Sequence, residues 1–160
     1  DIIAVAKGLG GGFPVGAVIA SAEVGHAMTP GTHGSTFAGN PLAMAVSEAV
    51  LDTLTASGFL ADVRRRADML QDALQKIADR HPGQIDEIGG RGFLRGVRLD
   101  ASLDAAAIVA ALRDHRLLTA PAGENTVRFL PPLIISEEEI ALAADIFATV
   151  MAANGTAKAS

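Results

Sequence analysis

Ile2-Ile3-Ala4-Val5-Ala6-Lys7-Gly8-Leu9-Gly10-Gly11-Gly12-Phe13-Pro14-Val15-Gly16-Ala17 runs from an apolar stretch through one lysine into a glycine cluster. The apolar run, Ile2 to Ala6, predicts a buried strand of an α/β sheet, with a tight loop at its exit. A second strand is predicted from Val15 to Ala20, after the Phe13-Pro14 turn. The chain has three lysines, and Lys76 and Lys158 fall on a helical face and in the tail, where water solvates them. Lys7 differs. An amine held in an apolar, partly desolvated pocket has its charged form disfavoured, which frees a nucleophile near neutral pH. The glycines beside it let a bulky cofactor lie against the backbone. The alternative for Lys7 is a strand-end lysine reaching out to water.

Working outward, Asn40-Pro41 opens a helix, with Asn as cap and Pro at the first helical position. A longer helix is predicted from about Gly58 to Arg80. Its apolar residues Leu60, Val63, Ala67, Leu70, Leu74 and Ile77 line one face, and His81-Pro82-Gly83 stops it. The run Arg64-Arg65-Arg66 reads as a solvated face of that helix. Beyond it a small α/β unit is expected, with strands at 85–88 and 94–99 around a Gly89-Gly90-Arg91-Gly92 turn, a helix at 104–115, and strands at 117–120 and 127–130. Ser136 and Glu139 form a capping box that starts a last helix.

Composition narrows the function. The 160 residues are 49% hydrophobic and 19% charged, enough apolar matter for a real core. A net charge of −5 argues against a nucleic-acid footprint, which needs a basic face. No cysteine is present, and the four histidines lack metal-binding spacing, so a metal site has no support. No apolar stretch approaches a membrane span, and a cytoplasmic protein is the expectation. The chain opens inside what reads as a core strand, so a preceding portion is expected to be missing.

Two further clusters bear on chemistry. Thr32-His33-Gly34-Ser35-Thr36-Phe37 sets hydroxyls beside glycines just before a helix, where they can donate to a phosphate or simply form a turn. Thr126-Val127-Arg128-Phe129-Leu130-Pro131-Pro132-Leu133 places one arginine in an apolar strand. It either grips a carboxylate bidentately or pairs structurally with an acid such as Asp86 or Glu87. A lysine nucleophile, a phosphate clamp and a carboxylate-binding arginine together are what an amino-acid enzyme using pyridoxal phosphate requires. No P-loop or G-x-G-x-x-G pattern opens a helix, which weakens a nucleotide-binding reading. A non-catalytic binding or scaffold module, with Lys7 and Arg128 merely structural, is the alternative of a different class.

The stretch from Ala6 to Ala17 resembles the cofactor-lysine signature of the class III, ornithine-type aminotransferases. His33-Gly34-Ser35-Thr36-Phe37-Ala38-Gly39-Asn40-Pro41-Leu42-Ala43 resembles the family's next motif, and Arg128 to Ile134 its substrate-arginine motif. The wording of all three is most similar to members acting on N2-acetylornithine in arginine biosynthesis. Ornithine, succinylornithine and 4-aminobutyrate remain alternative donors. The resemblance implies the fold type I transferase architecture of pyridoxal 5'-phosphate enzymes. Residues 1–55 would belong to the large cofactor domain, 56–83 to a connecting helix, 84–154 to the small α/β domain and 155–160 to a frayed tail. It further implies that Lys7 bonds the cofactor and shuttles the substrate proton, and that Thr36 binds the phosphate across the interface of a homodimer. Ser35 would approach the substrate or phosphate, and Arg128 would hold the substrate carboxylate. The small-molecule partners would be an amino acid and a 2-oxo acid, with 2-oxoglutarate leaving as glutamate. The family's phosphate loop, ring-stacking aromatic, pyridine-nitrogen acid and second arginine are expected outside these residues, so the chain alone is expected to have little activity.

Overall fold

The computed structural model describes residues 1–155, which form two compact units, Asp1–Leu60 and the residues from Ala61 onward. In the first, β1 (Ile2–Val5) pairs antiparallel with β2 (Ala17–Ala20), Ile2 opposite Ala20 and Val5 opposite Ala17. One turn of 3-10 helix, Lys7–Gly10, joins them. A short helix α1 (Ala22–Gly25) precedes α2 (Pro41–Thr55). The start of α2 follows the sequence: Asn40 is extended and its Oδ1 accepts from the Ala43 N–H at 2.9 Å. The predicted buried strand is corrected. Ile2, Ile3, Val18 and Ile19 are 62, 58, 70 and 58% exposed, because β1 and β2 form a two-stranded ribbon with no third strand among the described residues.

The second unit is built on α3 (Phe59–Arg80), which begins at the edge of the first. The predicted apolar face is buried at Val63, Ala67, Leu70, Leu74 and Ile77, whereas Leu60 is exposed. Four antiparallel strands follow, β3 (Ile85–Arg91), β4 (Leu94–Leu99), β5 (Ala120–Ala122) and β6 (Thr126–Phe129), in the order β3-β4-β6-β5. Helices α4 (Ala105–Asp114) and α5 (Glu137–Gly155) complete the unit. Side chains alternate along β4 and β6: Val97, Leu99, Val127 and Phe129 face the core, and Gly96, Arg98, Thr126 and Arg128 face outward. Phe129 meets Phe147 of α5 edge to face at 5.3 Å, and Leu70, Leu74, Ile108, Leu112 and Met151 fill the core. Each such side chain contributes about 1.5–3 kcal/mol by leaving water.

Three local predictions need correction. The turn expected at Gly89–Gly92 is narrower: β3 continues to Arg91, and only Gly92-Phe93 turns the chain. Gly90 has φ 106°, and a Cβ there would collide with the Leu94 carbonyl oxygen, so glycine is obligatory inside the strand. The strand expected at 117–120 begins only at Ala120, because Arg116 at φ 66° and the Leu117 N–H donating to the Leu112 carbonyl still belong to the exit from α4. The arginine run is not uniformly solvated. Arg66 is 8% exposed, pairs with Asp62 at 2.9 Å and donates to the Ile135 carbonyl. Arg65 bridges Asp62 at 2.6 Å and Glu137 at 2.7 Å, tying α3 to the start of α5. The frayed tail falls outside the described residues, apart from Gly155, which closes α5.

Candidate active site

Lys7 stands where β1 ends. Ala6 is extended at φ −158°, and Lys7 turns to φ 51°, a left-handed conformation that costs a non-glycine residue about 1–2 kcal/mol. The glycines around it set this turn. Gly10 is buried, and a Cβ on it would come 2.7 Å from Val15 Cγ1; one on Gly11, at φ 56°, would come 3.1 Å from Val50 Cγ2. The turn therefore seats against α2 by virtue of lacking side chains. The Lys7 side chain is exposed and makes no hydrogen bond or ion pair with the described residues. The desolvated pocket expected around it is not built by these residues.

Ser35 and Thr36 lie in the exposed loop before α2. The sequence predicted Asn40 as a cap, but Asn40 does more. Its Nδ2 donates to the Phe37 carbonyl at 2.9 Å while its Oδ1 caps α2, so one side chain fastens the hydroxyl loop to the helix. Neither hydroxyl is engaged among the described residues, and no hydrogen bond joins Lys7 to Ser35 or Thr36. α2 thus carries both elements, the lysine turn against Val50 and the hydroxyl loop at its N-terminus.

Arg128 belongs to the second unit, on the outward face of β6, opposite Gly96 of β4 and Ala120 of β5. It is exposed, and the ion pair considered with Asp86 or Glu87 is not made. Glu87 is taken by Arg98 at 3.0 Å, and Glu124 lies 3.9 Å from the same guanidinium. Arg128 forms no ion pair among the described residues, so its five N–H donors are open to an anion from outside them. Sequence reasoning missed Asn125, whose side chain accepts from the Ala105 N–H at 2.9 Å and donates to the carbonyls of Leu99, Asp100 and Leu103. It locks the loop leading into β6 to the start of α4. A cavity of about 440 Å³ in this unit has Leu70, Arg116, Leu118, Leu130 and Pro131 among its lining residues. Its Glu139 is committed to the Ser136 cap, and Arg128 does not line it. No group of three or more His, Cys, Asp or Glu side chains that could hold a metal occurs among the described residues.

An amine, two free hydroxyls beside glycines and a free guanidinium fit an aldehyde–phosphate cofactor and a carboxylate substrate in donor chemistry. The family model for class III aminotransferases matches residues 1–151. Acetylornithine aminotransferase 1 of Bradyrhizobium diazoefficiens is 48% identical over 140 residues, 88% of this chain and 34% of that protein. The crystal structure of N-acetylornithine aminotransferase from Stenotrophomonas maltophilia superposes with a TM-score of 0.84 at 34% identity, over 99% of this chain and 41% of that one. An ornithine aminotransferase structure from Toxoplasma gondii, with partial occupancy of PLP at its active site, superposes with a TM-score of 0.86 at 35% identity, over 96% and 37% of the two chains. The chain spans about a third of the length of the curated relatives it matches. With a match over nearly its whole described length, this chain belongs to the class III aminotransferase family.

Proposed function

We propose that the whole protein is a pyridoxal 5'-phosphate-dependent aminotransferase that moves the amino group of N2-acetylornithine to 2-oxoglutarate, as a cytoplasmic homodimer in arginine biosynthesis. On this reading residues 1–55 belong to the cofactor domain, 56–83 to the connection and 84–154 to the small domain. Lys7 holds the cofactor, and Thr36 meets its phosphate from the other subunit, with Ser35 beside it near the phosphate or substrate. Arg128 holds the substrate carboxylate. The bound cofactor would supply an electron sink that makes the C–H beside the transferred amine acidic, which in N2-acetylornithine is the C5–H because its α-amine is acetylated. The chain's own residues do the rest. Lys7 Nζ would take the proton from that carbon as base and, once protonated, would deliver it as acid to the cofactor carbon that keeps the amine. Arg128 fixes the carboxylate through paired N–H donors, which removes the substrate's freedom to tumble.

The observation that carries this reading is the pairing state of Arg128: a strand arginine left without an acid among the described residues, while Glu87 and Glu124 are engaged by Arg98. Family membership supplies the reaction class. A second reading, ornithine as donor, is favoured by the similarity to ornithine aminotransferases. Glutamate formation from 2-oxoglutarate, with acetylornithine, ornithine, succinylornithine and 4-aminobutyrate compared as donors, tests both. The highest kcat/KM with acetylornithine is expected. The highest value with ornithine would install the second reading, and no glutamate from any donor would remove the proposal.

A further inference from the structure

Gly96 lies in the middle of β4, a strand paired on both sides, where β-branched and aromatic residues are favoured and glycine weakens the sheet. Nothing in its backbone asks for glycine. The positive φ values of the β3–β4 hairpin fall at Gly90 and Gly92, and not at Gly96. What a side chain at this position would take up is space. Its Cβ would stand on the outward face, 3.0 Å from Thr126 Cγ2, in the place directly opposite Arg128. That face holds a shallow depression of about 170 Å³ lined by Glu87, Gly89, Gly96, Arg98, Glu124 and Thr126. Arg98 is neutralised there by its glutamates, whereas Arg128, directly opposite Gly96, forms no ion pair among the described residues. A glycine without a conformational reason inside a strand marks a place where something approaches the backbone closely.

We propose that Gly96 is a specificity-determining residue: the carbon chain of a substrate held by its carboxylate on Arg128 passes over the Gly96 backbone, and any side chain there excludes it. The inference rests on Arg128 as the carboxylate anchor. The substrates admitted are extended amino acids and dicarboxylic 2-oxo acids, whose chains continue beyond the carboxylate that Arg128 grips. Gly96 itself contributes clearance and no chemistry.

The test uses the whole protein loaded with pyridoxal phosphate, with glutarate, an unreactive five-carbon dicarboxylate, as the probe in calorimetric titration. Gly96→Ala is expected to weaken glutarate binding about tenfold and Gly96→Val further. Thermal unfolding and the absorbance of the lysine-bound cofactor should match the unsubstituted protein in Gly96→Ala. The double variant Gly96→Ala/Thr126→Ser removes the methyl that the new Cβ would crowd, and glutarate binding is expected to stay weak in it. Recovery of binding in the double variant would overturn the proposal, since the glycine would then serve only the packing of Thr126. Unchanged binding in both Gly96 variants would overturn it as well. Arg128→Ala separates the two claims: if it too leaves glutarate binding unchanged, the anchor reading fails first, and if it weakens binding while Gly96→Val does not, only the clearance role fails.

Discussion

Lys7 and Arg128 are both exposed and both without partners among the described residues, an arrangement that leaves each free for an outside group. In the proposed mechanism Lys7→Ala would remove the nucleophile and the proton carrier together, and kcat is expected to fall at least ~10³-fold in steady-state assays of the whole protein. Arg128→Lys keeps the charge and loses the planar fork, so KM for the amino donor is expected to rise ~10-fold or more with a smaller change in kcat. Asn125 is the residue on which the small unit's loops converge. Asn125→Ala removes the acceptor of the Ala105 N–H and the amide donor shared by the Leu99, Asp100 and Leu103 carbonyls, a loss of about 2–4 kcal/mol readable in urea unfolding. The three chemical candidates stood out in the sequence because each is an unusual residue for its context: a lysine ending an apolar strand, hydroxyls among glycines, an arginine within an apolar run. Asn125 did not, because its partners lie 20 or more residues away in sequence and nothing local marks them. The exposure of Lys7 was equally hidden, since an apolar strand next to it reads as buried whether or not neighbours cover it.

At the scale of elements, the four long helices were legible, whereas the short α1 and the bounds of β2, β3 and β5 were not. α2 and α5 announce themselves by a cap, and α3 by a 3.6-residue period with a stop at its end, local signals that the fold keeps. β3 was cut short because Gly89-Gly90 reads as a turn, yet Gly90 serves a close approach to Leu94 within the hairpin. The Ser136 box predicts its own energetics. The Glu139 N–H donates to Ser136 Oγ at 3.1 Å and the Ser136 N–H to Glu139 Oε2 at 2.8 Å, and Ser136→Ala is expected to cost ~1 kcal/mol in equilibrium unfolding. The link between α3 and α5 carries a pH dependence. The hydrogen bond from Arg65 holds the Asp62 carboxyl below its ordinary value of 3.8. A depressed carboxyl stabilises the fold above its unfolded value, and that contribution disappears as pH falls through the lowered one. The melting temperature should therefore drop on acidification below about pH 3.8, and Asp62→Asn should make that drop shallower. An equal slope in the variant would show that the pair is not coupled to folding.

For the molecule as a whole, buried apolar residues are unevenly distributed. Among the described residues Ala43 is the buried hydrophobic residue of the first unit, and the others, from Val63 to Met151, belong to the second. Amides of β4 and β6 should accordingly exchange with solvent far more slowly than those of β1 and β2 in this chain. The unit with the weaker core is the one that carries Lys7, and it presents Ile2, Ile3, Val18, Ile19 and Phe37 to its surroundings. The account as a whole turns on whether the amine at position 7 condenses with an aldehyde. Borohydride reduction of the whole protein after loading with pyridoxal phosphate, followed by peptide mapping, reads this directly. The label is predicted on the peptide containing Lys7; its appearance on Lys76 or Lys158 instead, or on no lysine, would contradict the account.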